Sequence, residues 1–218
     1  MPSTGGGAGP RRAEVPADRL PGWLERFAAR HGSVRSEPTE DEVVVIGEDG
    51  AVARLAVPFP PMAVDHDAVD GGLVAHLAAP RRIGVLLVRK GGYAVGVVDA
   101  GELVTSKVGS RHVQGRSAAG GWSQQRFARR REGQAKVALG AAADVAAAVL
   151  LPEAARLDAL VTGGDRASVD GVLADPRLAP LRPLVPAYRL DVAEPRRAVL
   201  DATVPRLSAV VVTVTDPR

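Results

Sequence analysis

The clearest fold signal of this chain is residues 83–108, IGVLLVRKGGYAVGVVDAGELVTSKV. It contains three apolar runs, which are separated by residues 90–92 and 99–101. Short apolar runs bounded by glycine-containing turns are typical of β-strands joined by hairpins. Residues 83–108 therefore predict an antiparallel meander of three strands, and residues 109–116 are expected to extend the last one.

A long helix and a strand–helix pair are predicted after the meander. Residues 124–150 are polar and basic at first and then rich in Ala, Val and Leu, which predicts a helix whose second half packs on the sheet. Residues 157–161 form a short apolar strand, and Gly163-Gly164 turns the chain into a helix that Asp165 caps. The same glycines could cradle a phosphate, but neither a dinucleotide fingerprint nor a phosphate-loop lysine accompanies them.

The end of the chain completes the predicted α/β domain. Residues 194–206 are expected to hold another helix, and the β-branched run at 209–214 predicts a final, central strand. A meander followed by helix, strand, helices and strand is the element order of an RNase-H-like mixed sheet. The sequence therefore predicts an α/β fold with such a sheet over residues 81–218.

The residues before position 81 predict a tail, a small unit and a connection. Residues 1–17 are rich in Gly, Pro and Arg, which predicts a disordered tail. Within residues 18–60, a helix pattern with Trp23 and Phe27 on its apolar stripe precedes a hairpin pattern, so a small N-terminal α+β unit is expected. Both aromatic residues are expected in its core rather than on a base-stacking surface. Residues 61–80 are predicted to be a connection with one helical turn.

Composition excludes several classes of protein. The chain has 218 residues, of which 46% are hydrophobic, and this is enough for a packed core. It contains no cysteine, so disulfides, cysteine nucleophiles and thiolate zinc sites are excluded. Neither a signal peptide nor an uninterrupted apolar stretch of membrane-spanning length is visible, so a cytoplasmic protein without a membrane partner is expected.

Positive charge is concentrated in residues 107–136. This segment has a formal charge of +7, whereas the whole chain has +3, so the rest of the chain is acidic. A basic segment on an acidic body indicates a polyanionic partner such as RNA, and the alternative is a solvated helix face. The charged residues of the segment are Lys107, Arg111, Arg116, Arg126, Arg129, Arg130, Arg131, Lys136 and the single acid Glu132.

Residues 117–124, SAAGGWSQ, form the least ordinary stretch of the chain. Gly120 and Gly121 predict a mobile loop that can approach another backbone closely, and Trp122 is one of two tryptophans. Gln124 is thereby presented at the start of a basic helix. An activated ester on a nucleic-acid carrier needs a positioned water and a stabilised oxyanion, and an amide can supply both. The alternative is a plain connection in which Gln124 is a first-turn residue.

The loop and the helix after it also resemble a known family. GSRH at residues 109–112, GGWSQQR at 120–126 and RRREGQ at 129–134 resemble the central domain of archaeal and eukaryotic class-1 peptide release factors. The strongest similarity is to the Vms-like release factor family of actinobacteria. Termination factors carry Gly-Gly-Gln contiguously, whereas Trp122-Ser123 separates Gly121 from Gln124 here, a spacing that resembles the Vms-like family. No codon-reading domain is apparent, which favours ribosome rescue over stop-codon termination.

The resemblance implies a peptidyl-tRNA hydrolase that acts on stalled ribosomes without a cofactor or a metal. Its implied partners are the large ribosomal subunit, peptidyl-tRNA and ribosomal RNA. Gln124 would position the water on the loop of Gly120 and Gly121, with Gln125 and Gln134 as rival glutamines. The implied RNA-binding residues are Trp122, Arg126, Arg129, Arg130, Arg131, Arg116, Arg111 and His112. A non-catalytic ribosome- or RNA-binding module and a nuclease that cuts tRNA near its 3′ end stay open as alternatives.

Two groups of acidic residues suggest metal sites less specifically. Asp65-His66-Asp67 with Asp70 and His76 has the residue types of a metal cluster but no spacing typical of one. Asp99 and Glu102 are the nearest carboxylates for a metal-dependent nuclease, and no third carboxylate clearly joins them.

Overall fold

The chain folds into two compact units. The computed structural model describes residues 9–89, 91–110 and 123–217, and in the last range it describes side chains from residue 133 onward. Residues 1–79 and 205–218 form the first unit, and residues 80–204 form the second. The last residues of the chain therefore return to the first unit, which differs from the expected continuous domain 81–218.

The described residues contain nine strands and five α-helices. The strands are β1 (Arg11–Val15), β2 (Val34–Pro38), β3 (Glu42–Gly47), β4 (Val52–Ala56), β5 (Arg82–Arg89), β6 (Gly92–Asp99), β7 (Glu102–Ser110), β8 (Ala159–Gly164) and β9 (Val210–Thr215). The helices are α1 (Leu20–His31), α2 (Leu73–Ala78), α3 (Ser123–Leu150), α4 (Arg166–Leu173) and α5 (Arg197–Thr203).

The first unit is a five-stranded antiparallel sheet with one hydrophobic core. The strand order is β1-β9-β4-β3-β2. Alternate residues of β3 and β4 are buried, and Val43 and Leu55 pack in one cluster with Phe27 of α1 and Leu73 of α2. This alternation is typical of an antiparallel sheet that is covered on one face. The predicted helix, hairpin and helical turn of residues 18–80 are confirmed.

Two predictions about the ends of the chain are wrong. Residues 11–15, expected in a disordered tail, form β1 and pair with residues 210–214 of β9. The final strand, expected at the centre of the second unit's sheet, lies between β1 and β4 in the first unit. A β-branched run has the same strand propensity in either sheet, so only tertiary contacts select its partners. Arg11 and Asp216, which are 205 positions apart, form an ion pair of 2.8 Å beside this pairing.

The second unit is a four-stranded mixed sheet with the order β7-β6-β5-β8. β5, β6 and β7 form the predicted antiparallel meander, and β8 runs parallel to β5. The predicted long helix is α3, and the predicted capped helix is α4, whose Asp165 accepts a hydrogen bond from the Ser168 amide. Beyond β8, at the edge of this sheet, an isolated parallel bridge joins Gly163 to Leu190.

The second half of α3 is anchored on the mixed sheet, as predicted. Ala142 and Leu150 are buried in the core of this unit, and Arg177 donates to Asp144 of α3 at 2.8 Å and to Asp175 at 2.7 Å. The stretch Gly133–Arg156 is long and apolar enough to cross a membrane, by length and composition alone. The core helix of a water-soluble protein passes the same test, so this is weak evidence for a membrane span.

Glycine lets the end of β8 approach β5 closely. Gly164 has a φ of +96°, and a Cβ there would overlap the carbonyl oxygen of Val88. The Gly164 amide donates to the Leu190 carbonyl at 3.1 Å, and the Asp165 amide donates to the Val88 carbonyl at 2.9 Å. Because both amides already have acceptors within the sheet, they are not available to cradle a phosphate.

Candidate functional site

The sequence-predicted site lies on the connection from β7 to α3 and on the start of α3. β7 ends at Ser110 and α3 begins at Ser123. Gln124, Arg126, Arg129, Arg130 and Arg131 fall in the first turns of α3, and their side chains lie outside the described part of the structure. Gly120, Gly121, Trp122, Arg111, His112 and Arg116 lie outside the described residues altogether.

The start of α3 is far from the part of the helix that packs on the sheet. A rise of about 1.5 Å per residue makes the 28-residue helix roughly 42 Å long. Ala138 is the first buried residue from Gly133 onward, and position 124 lies roughly 21 Å before it along the axis. The N-terminal end of a helix carries a partial positive charge, so the helix dipole and the nearby arginines have the same sign there.

The helical repeat places position 124 on the same stripe of α3 as its buried residues. At about 100° per residue, positions 124, 135, 138 and 142 fall within a sector of about 60°. Ala138 and Ala142 on this stripe are 4% and 1% exposed. The rival position 125 is turned by about 100° from position 124, and position 134 lies roughly 15 Å further along the axis. The backbone geometry thus separates the three glutamine positions clearly.

A groove of about 480 Å³ follows this stripe in the second unit. Ala135 and Ala138 of α3 and Tyr93 of β6 give it an apolar wall, and Asp165 and Ser168 at the start of α4 give it a polar rim. Small side chains on α3 leave this space open. Its volume is within the range of about 300–1,000 Å³ that is usual for pockets that bind small ligands. The sequence did not predict the groove, because its walls come from segments that are distant in the chain.

The polar rim of the groove is held in place by hydrogen bonds. The Asp165 carboxylate accepts from the Ser168 amide at 3.0 Å and from the Ser168 hydroxyl at 2.6 Å. The bond from the Ser168 side chain is the main reason that the pKa of Asp165 is lowered, and the charges of Arg189 and Arg89 lower it further. Asp165 therefore stays ionised at neutral pH and caps α4.

The residues suggested as a metal cluster have structural partners instead. His76 Nε2 lies 2.8 Å from a backbone carbonyl oxygen, and Asp70 accepts from a backbone amide at 2.7 Å. Asp65 accepts from the amide of Asp67 at 3.0 Å. Within the part of the chain that the structure describes, no group of three His, Asp or Glu side chains could hold a metal ion.

One of the two carboxylates considered for a nuclease, Asp99, lies in a structural ion-pair network. Asp99 and Glu102 face each other across the turn between β6 and β7. Asp99 pairs with Arg82, which also donates to Glu153 at 2.9 Å. Arg156 contacts the same Glu153 carboxylate at 2.6 Å. The network joins the first residue of β5 to the segment after α3, so Asp99 has a structural role.

Comparison with known proteins gives a family match and distant structural similarity. The family model described as Actinobacteria/chloroflexi VLRF1 release factor matches residues 81–213. No curated protein matches the chain in sequence. The crystal structure of the archaeal translation termination factor aRF1 aligns with a TM-score of 0.37 at 14% identity, over 89% of this chain and 63% of that one. A second solved structure, described as an archaeal protein, aligns with a TM-score of 0.37 at 14% identity, over 90% of this chain and 65% of that one. The chain thus spans less than two thirds of either structure's length.

Proposed function

Because the chain belongs to the Actinobacteria/chloroflexi VLRF1 release factor family, we propose that it hydrolyses peptidyl-tRNA on the large subunit of stalled ribosomes. The family match confirms the family resemblance that the loop and helix residues indicated. Membership assigns the chain a release-factor-type function that is associated with the ribosome. Hydrolysis at the peptidyl-tRNA ester, the role of Gln124 and an action in the cytoplasm are the further content of this proposal.

The observation that carries the proposal is the place of Gln124 in α3. The helix begins at Ser123, so Gln124 lies in its first turn, where the helix dipole is positive. The matched region contains the whole basic segment 107–136, whose positive charge suits tRNA phosphates. A neutral amide and a positive potential at one helix end are what the stabilisation of a developing oxyanion requires.

The proposed reaction is ester hydrolysis by a positioned water. The water oxygen attacks the ester carbonyl carbon, the carbonyl oxygen becomes an oxyanion, and the tRNA 3′ oxygen leaves with a proton that originates from the water. Gln124 orients the water and the terminal ribose, while Gly120 and Gly121 let the loop enter a crowded site. The tRNA and ribosomal RNA are held by Arg126, Arg129, Arg130, Arg131, Arg111, Arg116 and His112, with Trp122 stacked on a base.

The test is peptide release from purified stalled ribosomes that carry labelled peptidyl-tRNA. Gln124→Ala should lower the release rate by roughly 10²–10³, the usual effect of removing one oxyanion donor. Gln134→Ala is the matched control, because it makes the same substitution in the same helix roughly 15 Å away. The control should release peptide at the wild-type rate, and all three proteins should co-sediment with large subunits to the same extent.

Each remaining outcome assigns a different function. A loss of release in Gln125→Ala but not in Gln124→Ala would move the catalytic role to Gln125. An intact tRNA product indicates ester hydrolysis, whereas a tRNA shortened at its 3′ end would establish the nuclease alternative. Binding to ribosomes without release by the wild type would make the chain a non-catalytic module and would refute the proposal.

A further inference from the structure

The first unit contains a groove that the peptide-release chemistry does not use. It has a volume of about 390 Å³ and lies between α1 and the strands β1 and β9. Trp23, Arg26 and Arg30 line it from the helix, and Arg11 and Val214 line it from the sheet. Arg11 and Val214 are directly paired across β1 and β9, at the sheet edge that β1 forms. All of the lining residues belong to the first unit.

The wall of this groove on the α1 side is a row of three rings, of which the first two are stacked and the third is tilted. Trp23 and Phe27 are parallel within 17° with centroids 5.5 Å apart, and Phe27 lies 4.5 Å from the His31 ring. Phe27 and His31 are 6% and 7% exposed, and Asp49 contacts His31 Nδ1 at 2.9 Å. The prediction of a core residue is confirmed for Phe27, which is a buried member of the hydrophobic cluster of the unit, whereas Trp23 only packs against that cluster. Trp23 is half-buried and also lines the groove.

The charge of the groove is positive and largely uncompensated. Arg26 and Arg30 are exposed and one helical turn apart, and no described residue forms an ion pair or hydrogen bond with either. Arg11 is paired with Asp216, and no carboxylate is among the lining residues. Like charges at this spacing are unfavourable on an isolated helix. An anionic partner that contacts both guanidinium groups would remove this repulsion.

We infer that this groove binds a single-stranded segment of ribosomal RNA, with one base against Trp23 and the adjoining phosphates on Arg26 and Arg30. Aromatic stacking combined with arginine–phosphate contacts is the usual way in which proteins hold single-stranded RNA. The groove, with a volume of about 390 Å³, has room for one nucleotide. The choice of ribosomal RNA rests on the proposed function, which places the chain on the large ribosomal subunit and gives ribosomal RNA, besides peptidyl-tRNA, as its partner.

Fluorescence of Trp23 tests the stacking directly. Trp23 and Trp122 are the two tryptophans of the chain, so Trp122→Phe leaves Trp23 as the single reporter. We expect a single-stranded oligoribonucleotide of about eight nucleotides to quench its emission with a saturable curve. R26Q/R30Q in the same background should raise the midpoint roughly tenfold and reduce its salt dependence, because two phosphate contacts are lost.

The matched control removes the same charge from the other face of the same sheet. Arg35 and Arg54 are exposed and lie at strand positions that alternate with the buried ones. R35Q/R54Q should therefore leave the quenching curve unchanged. Co-sedimentation with purified large subunits should weaken roughly tenfold in R26Q/R30Q and stay at the wild-type level in R35Q/R54Q. Trp23→Leu should lower the affinity for large subunits roughly 5- to 150-fold, which is the range expected for the loss of one stacked base.

Four results would overturn the inference. The first is Trp23 emission that does not change although the sedimentation assay shows saturating RNA binding. The second is a loss of RNA affinity in R35Q/R54Q that equals the loss in R26Q/R30Q. In the third, a polyglutamate peptide or anionic vesicles quench Trp23 more strongly than RNA does. In the fourth, deacylated tRNA outcompetes large subunits, which would assign the groove to tRNA. Gln124→Ala should retain the quenching of Trp23 by RNA. If RNA binding at the groove is wrong, the quenching assay gives no signal; if the proposed hydrolysis is wrong, the peptide-release assay gives none.

Discussion

Gly164→Ala should destabilise the second unit far more than a glycine substitution with the same backbone strain. Gly164 has a φ of +96°, and its missing Cβ leaves room for the Val88 carbonyl oxygen of β5. Gly101, in the turn between β6 and β7, has a φ of +84° and open space where a Cβ would be. Both substitutions therefore force alanine into the left-handed region, but only Gly164→Ala also forces two strands apart.

The expected magnitudes follow from these two costs. A left-handed backbone costs an alanine about 1–2 kcal/mol, which is the whole expected loss for Gly101→Ala. Overpacking adds about 1–3 kcal/mol for Gly164→Ala, so its total loss is about 2–5 kcal/mol. The shift would also strain the hydrogen bonds from the Gly164 amide to Leu190 and from the Asp165 amide to Val88, which measure 3.1 and 2.9 Å.

Urea unfolding followed by far-ultraviolet circular dichroism measures both losses. The free energies of unfolding of the wild type and the two variants are obtained with one shared m value, the slope of this free energy against urea concentration. The Gly164→Ala loss should exceed the Gly101→Ala loss by at least about 1 kcal/mol. Equal losses would refute the close approach of β8 to β5 as the reason for glycine at this position.

Three further predictions concern charged residues of the second unit. The Arg177 side chain lowers the pKa of Asp175 to about 2, so the stability from this pair is complete above the usual value of 3.8 and is lost as the pH falls through about 2. Asp175→Asn should flatten that acid-side loss in unfolding curves measured between pH 2 and 5. Asp165→Ala removes the cap of α4 and should cost about 1 kcal/mol in urea unfolding, whereas Asp170→Ala on the same helix should cost much less. Arg82→Met leaves the carboxylates of Asp99 and Glu153 without this cation and should lower the free energy of unfolding by about 1–2 kcal/mol. An unchanged thermal midpoint would contradict this prediction.

The elements that the sequence predicted well are those whose signals are local. The three strands of β5–β7 were visible as apolar runs between glycine turns, and their pairing needs no long-range information. α3 was visible from its change from basic to apolar residues, and Asp165 marked the start of α4. The residues that indicated the family likewise lie close together in the chain, between positions 109 and 134.

The candidate site was predicted in part. Its residues were chosen from their types, their spacing and the family resemblance, and their roles stay predictions. The predicted start of the helix at position 124 is confirmed, and the structure adds that this position lies on the stripe of the buried residues of α3. The alanine-walled groove at Ala135 and Ala138 was not predicted, because Tyr93 and Ser168 reach it from other segments. Charge counting along the chain also gave no reason to group Arg11 with Arg26 and Arg30.

The meander, the long basic-to-apolar helix and the release-factor family of the chain were all recognisable in its sequence. Tertiary structure alone decided that β9 leaves the second unit to lie between β1 and β4, and that Arg11–Val15 is a strand. It also decided where the two grooves form. Helix periodicity, turns and caps are visible in the sequence because they depend on residues a few positions apart. Strand partners and groove walls are not visible, because they depend on contacts between segments that are far apart in the chain.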